Sequence, residues 1–107
     1  MSYEISPQAL KAKLDAGEPV FLVDVREPEE YAICRLPGGV LIPMGEVVGR
    51  LEEIQSAEAP VVVYCHHGIR SLRAVGFLRA NGLSDAVSLA GGIEAWSTRV
   101  DPTVPRY

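Results

Sequence analysis

Two short apolar runs, VFLVDV at residues 20–25 and APVVVY at residues 59–64, constrain the fold of this chain more than any other feature. Each is too short for a helix and apolar on both faces, the pattern of a strand covered on both sides. Helical signals lie around them. SPQALKAKLDAG supplies Ser6 as N-cap, Pro7 at the first helical position, Leu10 and Leu14 on one face, and Gly17 as a stop. EPEEYAI starts a second helix, with Pro28 in the first turn and acidic residues near the positive end of the dipole. GGVLIP reads as a short strand after a glycine turn. GEVVGRLEEI places Val47, Leu51 and Ile54 at helical spacing despite Gly49. RSLRAVGFLRANG aligns Ser71, Ala74, Val75 and Leu78 on one stripe and reaches Gly82 near its C-cap. AVSLAGG and IEAWS add a strand, a glycine turn and a helix, with Trp96 expected in the core. VDPTVPRY has two prolines and no periodicity, so residues 100–107 are expected to form an extended tail.

Strands alternating with helices predict an α/β fold, a parallel sheet with helices on both faces. The chain has 107 residues, enough for one core, and a single domain over 1–107 is expected. No apolar run approaches the roughly 20 residues of a membrane span. The net charge of −4 argues against a general nucleic-acid binder. MSYEIS lacks a basic segment followed by an apolar one, so no secretory signal and a cytoplasmic location are expected. Cys34 and Cys65 fit neither a disulfide framework nor a zinc-finger spacing, and both are expected as free thiols.

In parallel sheets of this kind ligands collect beyond the carboxyl ends of the strands. Cys65 ends the second apolar run, and Asp24 lies at the end of the first. The stretch from Cys65 to Arg70 runs directly into a helix N-terminus, whose unpaired N–H groups favour an anion. A cysteine there is favoured as the reactive thiolate. Gly68 allows the turn that points several N–H groups inward, and Arg70 can add a planar fork of donors for an oxyanion or a charged sulfur.

DVREPEEY with PGGVLIP, then VVVYCHHGIRS, then Ala74, Phe77, Leu78, Gly82 and the run Ala86 to Trp96 together resemble a single-domain rhodanese, a sulfurtransferase. The resemblance extends from the first apolar run to Trp96. It implies a five-stranded parallel sheet flanked by helices and a Cys65 that carries a persulfide, within a loop of Cys65, His66, His67, Gly68, Ile69 and Arg70 followed by Ser71. It also implies a small sulfur donor, thiosulfate or a persulfide, and an acceptor such as cyanide or a thiol, with no metal or organic cofactor. The resemblance of VDPTVPRY to rhodanese domains fused to enzymes that activate sulfur-carrier proteins adds a carrier protein or a cysteine desulfurase as partners, and neither nucleic acid nor membrane. Where the family often has Gly-His before its Ile-Pro-Gly segment, this chain has Cys34, Arg35, Leu36, Pro37 and Gly38.

Other roles compete at several positions. Asp24 and Arg26 read as a structural pair bracing neighbouring loops in preference to catalysis. Cys34 reads as packing in preference to a resolving thiol. His66 and His67 are either exposed loop residues or substrate contacts. A metal site of Cys65, His66 and His67 is disfavoured, because three consecutive side chains do not readily supply tetrahedral geometry. Arg73 falls on the first turn of the following helix, near enough to draw anions toward the loop. The rival function is a cysteine-dependent phosphatase or arsenate reductase. Related cell-cycle phosphatases place five residues between cysteine and arginine, and here there are four, a smaller cradle. A third reading is a non-catalytic binding module, against which the intact Cys65 and Arg70 argue.

Overall fold

The computed structural model describes residues 2–107. Five parallel strands, β1 (Glu4–Ile5), β2 (Phe21–Asp24), β3 (Val40–Leu41), β4 (Val61–Tyr64) and β5 (Val87–Leu89), form one sheet in the order β1-β5-β4-β2-β3. The two apolar runs are the adjacent strands β2 and β4, paired from Phe21 with Val61 to Asp24 with Tyr64. Their alternating side chains build two cores. Val23, Val25, Val61, Val63 and Cys65 pack on one face, and Leu22, Val62 and Tyr64 on the other. Each fully buried Val or Leu contributes roughly 1.5–3 kcal/mol, so neither face could remain in water.

Helices α4 (Ile69–Ala80) and α3 (Leu51–Gln55) cover the first face through Ala74, Val75, Leu78 and Ile54. Helices α1 (Pro7–Asp15) and α5 (Gly92–Arg99) cover the second through Leu10, Ile93 and Trp96, the last being buried as expected. Ser6 caps α1 by accepting the Ala9 N–H at 3.0 Å. Helix α2 (Pro28–Ile33) starts at Pro28, and Cys34 just beyond it is buried in the second core. Both cysteines are free and buried. Among the described residues no helix is long and apolar enough to cross a membrane.

Two expectations need correction. The stretch 45–54 is not one helix: a 3-10 turn (Met44–Glu46) and further turns precede α3. Gly49 and the β-branched Val47 and Val48 hold a helix weakly. Burying Val47 while Arg50 reaches back to the Leu41 carbonyl, at 3.2 Å, is satisfied by the turns. The tail 100–107 does not simply extend. Thr103 donates its N–H to the Asp101 carboxylate at 3.1 Å, and the Val104 N–H donates to the Asp101 carbonyl. Val104 is buried in the second core, where its carbonyl accepts the Ser97 hydroxyl at 2.6 Å, so the chain folds back across the molecule. Strand β1, within the opening residues, has no sequence signal of its own and forms by pairing with β5.

Candidate active site

Cys65 follows β4 at the carboxyl edge of the sheet and is 1% exposed. Its Sγ accepts the Gly68 N–H at 3.1 Å and the Ser71 N–H at 3.4 Å, and lies 3.4 Å from the Ser71 hydroxyl. These donors face inward because Gly68 takes φ +102°, a left-handed conformation that side-chain-bearing residues rarely adopt. The first N–H groups of α4, unpaired within their own helix, are thereby turned onto sulfur. Behind Cys65 the Ser71 hydroxyl meets the Ser88 hydroxyl at 2.7 Å, and both serines are fully buried.

The outward side of the loop is held by a second helix. The Cys65 and His66 carbonyls accept the Ile93 and Glu94 N–H groups of α5 at 2.9 and 3.1 Å. One helix N-terminus therefore supplies donors to the sulfur while the other takes up the carbonyls that would repel it.

Arg70 departs from its expected orientation. Its guanidinium fork does not turn to the sulfur: Nη1 and Nη2 bind Glu30 Oε1 and Oε2 at 2.7 and 2.9 Å. Glu30 also accepts the Glu27 N–H at 3.0 Å. The Arg70 hydrogen bonds hold the Glu30 carboxyl down at about 2 against its partial burial, and the Tyr107 hydroxyl acts in the same direction. Arg70 is raised in turn by Glu30. A carboxylate partner is the stronger acceptor for a planar fork, and α2 brings one within reach.

Asp24 and Arg26 form a fully buried bidentate pair, Nε to Oδ1 at 2.9 Å and Nη2 to Oδ2 at 2.7 Å. Arg26 also donates to the Cys34 carbonyl at 2.6 Å and to the Tyr107 hydroxyl at 3.0 Å. Burial works against the Arg26 charge, and the hydrogen bonds it donates to Asp24 and Tyr107 outweigh it and raise its pKa. Through Arg26 the pair links β2 to the segment after α2.

His66 and His67 are not independent loop side chains. Their rings stack at 3.9 Å, and His66 stacks again on Tyr107 at 3.8 Å and 10°. Burial lowers the His66 pKa, and the neighbouring His67 adds to the same effect. A shallow pocket of about 290 Å³ is lined by Cys65, His66, His67, Ile69 and Arg70. Ile69 is 70% exposed at its rim. Arg73 lines an adjoining groove with Ile69 and Leu72 instead. No group of three His, Cys, Asp or Glu side chains among the described residues is arranged to hold a metal ion.

Sequence reasoning missed Glu30, Tyr107 and Ser88. Glu30 carried a signal, since an acidic residue three positions after an N-cap reaches back to the helix start. Tyr107 carried none, because it meets Glu30 across 77 residues.

Residues 6–99 match the family model described as Rhodanese-like domain. The protein named "Probable adenylyltransferase/sulfurtransferase MoeZ" of Mycobacterium tuberculosis is 38% identical over 108 residues, covering 96% of this chain but only 26% of its own length. A protein named Sulfurtransferase from Allochromatium vinosum is 36% identical over 104 residues, covering 97% of this chain and 96% of its own. Among solved structures, a rhodanese-related protein from Thermoplasma volcanium superposes with a TM-score of 0.82 at 31% identity, over 97% of this chain and 98% of that one.

Proposed function

Because the chain belongs to the rhodanese-like domain family, and its relatives there include named sulfurtransferases, we propose that Cys65 is the residue on which it carries sulfur. The observation that carries this reading is the pair of backbone N–H groups, from Gly68 and Ser71, directed at one buried sulfur atom. Donors oriented before the reaction stabilise a developing anion without reorganisation, as an oxyanion hole does. The same cradle fits the Cys65 thiolate and, after loading, the terminal sulfur of a persulfide.

In the first half-reaction the thiolate attacks the outer sulfur of thiosulfate or a persulfide, and sulfite or a thiolate leaves. In the second, an acceptor such as cyanide or a thiol attacks that outer sulfur and restores Cys65. A sulfur-carrier protein or a cysteine desulfurase is the protein partner this chemistry suits, working on one domain in a reducing, cytoplasmic setting. Phosphoryl transfer is the weaker reading. A tetrahedral phosphate draws on an open guanidinium fork, and Glu30 fills the fork of Arg70.

The test is intact mass after incubation with thiosulfate and, separately, with a low-molecular-weight persulfide. A gain of roughly 32 Da that persists in Cys34→Ser and disappears in Cys65→Ser is expected. A gain that follows Cys34, or none with either donor, refutes the proposal.

A further inference from the structure

Tyr107 ties together the mouth of the Cys65 pocket. Its hydroxyl donates to Glu30 Oε2 at 2.7 Å and accepts from Arg26 Nη1 at 3.0 Å. Its ring lies flat on His66, whose Nε2 is buried there without a hydrogen-bond partner. The segment is anchored at two points before Tyr107: Val104 is buried, and Arg106 pairs with Glu94 at 2.6 Å. Tyr107 thus acts on the one carboxylate that occupies Arg70.

The consequence is electrical. Arg26 is matched by Asp24, and Arg70, which shares the pocket with Cys65, is matched by Glu30. Arg73 belongs to the adjoining groove. Among the described residues that line the pocket, no guanidinium is therefore left open while Glu30 stays in place.

The two donor classes make different demands on such a mouth. With thiosulfate, Cys65–S⁻ and S–SO₃²⁻ become Cys65–S–S⁻ and SO₃²⁻. The new bond joins Sγ to the sulfane sulfur, and sulfite leaves with the electron pair of the broken S–S bond. That step gathers three negative charges. With a hydropersulfide, Cys65–S⁻ and R–S–SH become Cys65–S–SH and R–S⁻, the proton staying on the transferred sulfur. That step gathers one. Bringing like charges together without a free counter-cation is unfavourable in a partly desolvated pocket.

We propose that Tyr107, by holding Glu30 on Arg70, sets donor specificity at Cys65, keeping the mouth neutral and selecting hydropersulfides over small dianions. This rests on the sulfur-transfer reading and names its donor class. Tyr107 is a positioning residue, since it acts through Glu30 and Arg70.

The experiment compares wild type with Tyr107→Phe, which keeps the ring stack and loses both hydrogen bonds, and with Glu30→Gln, which opens the fork. Two ratios are measured in a Cys34→Ser background: sulfur loading from thiosulfate against cysteine hydropersulfide, and Cys65 alkylation by iodoacetate against iodoacetamide. Both ratios are expected to rise about threefold in Tyr107→Phe and about tenfold in Glu30→Gln, with the increase shrinking at high salt. Neutral iodoacetamide corrects for any general loosening, which would speed both reagents alike. Unchanged ratios in both variants, or an alkylation ratio that moves while the donor ratio does not, overturn the proposal. If neither donor loads any protein, the sulfur-transfer reading fails and the donor proposal falls with it, while the alkylation ratio separately decides whether Tyr107 controls charge at the mouth.

Discussion

A methyl group on Gly92 would stand 2.5 Å from the carbonyl oxygen of Cys65. The two residues are this close because α5 docks its first N–H groups on the outer side of the loop, leaving room for a hydrogen and nothing larger. Gly92 also sits at φ +63°, where a side chain is strained in any case. Gly92→Ala is expected to cost about 2 kcal/mol or more, lowering Tm by roughly 10 °C, and to slow sulfur loading at Cys65 by displacing the loop. Differential scanning calorimetry and the mass assay check this. Wild-type loading would show that the α5 dock does not position the loop.

Ser71 and Ser88 share a buried hydroxyl pair at 2.7 Å. Ser71→Ala strips the Ser88 hydroxyl of that partner, at a cost of about 1–3 kcal/mol. Removing both hydroxyls leaves no orphan, so Ser71→Ala with Ser88→Ala is expected to be more stable than Ser71→Ala alone in urea. Loading should persist in both, because the Gly68 and Ser71 backbone donors remain. Additive losses in the double variant would contradict the pairing.

The Asp24–Arg26 pair predicts a larger effect. Arg26→Met leaves the Asp24 carboxylate fully buried without its counter-charge, which costs about 3–5 kcal/mol. Arg26→Lys also loses stability, because a single ammonium cannot serve Asp24, the Cys34 carbonyl and Tyr107 together. Urea unfolding measures both. A loss below about 1 kcal/mol in Arg26→Met would refute the bracing role.

What the sequence revealed was local. The strand ends at Tyr64 and the helix begins at Ile69, so the loop from Cys65 to Ser71 lies within contiguous residues and its N–H cradle could be read directly. The cap of α1 and the two-sided burial of β2 and β4 were legible for the same reason. The partner of Arg70 was not, because Glu30 lies 40 residues earlier and only the adjacency of β2 and β4 brings α2 to the loop. Nor was the path of residues 100–107. Their prolines suggested an extended run, and the turn at Asp101 with the buried Val104 is selected by tertiary contacts. In residues 45–54 helical spacing was present, but weak propensity at Val47, Val48 and Gly49 allowed turns to replace the first half.

Glu30 makes acid stability a test of the arrangement. Hydrogen bonds from Arg70 lower its carboxyl from 4.5 to about 2, with smaller help from the Glu27 N–H and Tyr107. Between those values the unfolded chain holds a proton there that the folded protein does not. Stability therefore rises with pH across this window. The contribution of Glu30 is fully present above about 4.5 and is lost as pH falls through about 2. Glu30→Gln cannot titrate, so it should be less stable than wild type near neutral pH, and the gap between the two should close as pH falls through the window. Urea midpoints of both proteins at several pH values across it measure that gap. A gap that stays constant with pH would mean that the Glu30 carboxylate gains nothing from Arg70 on folding, and that the pair at the mouth of the Cys65 pocket does not hold in solution.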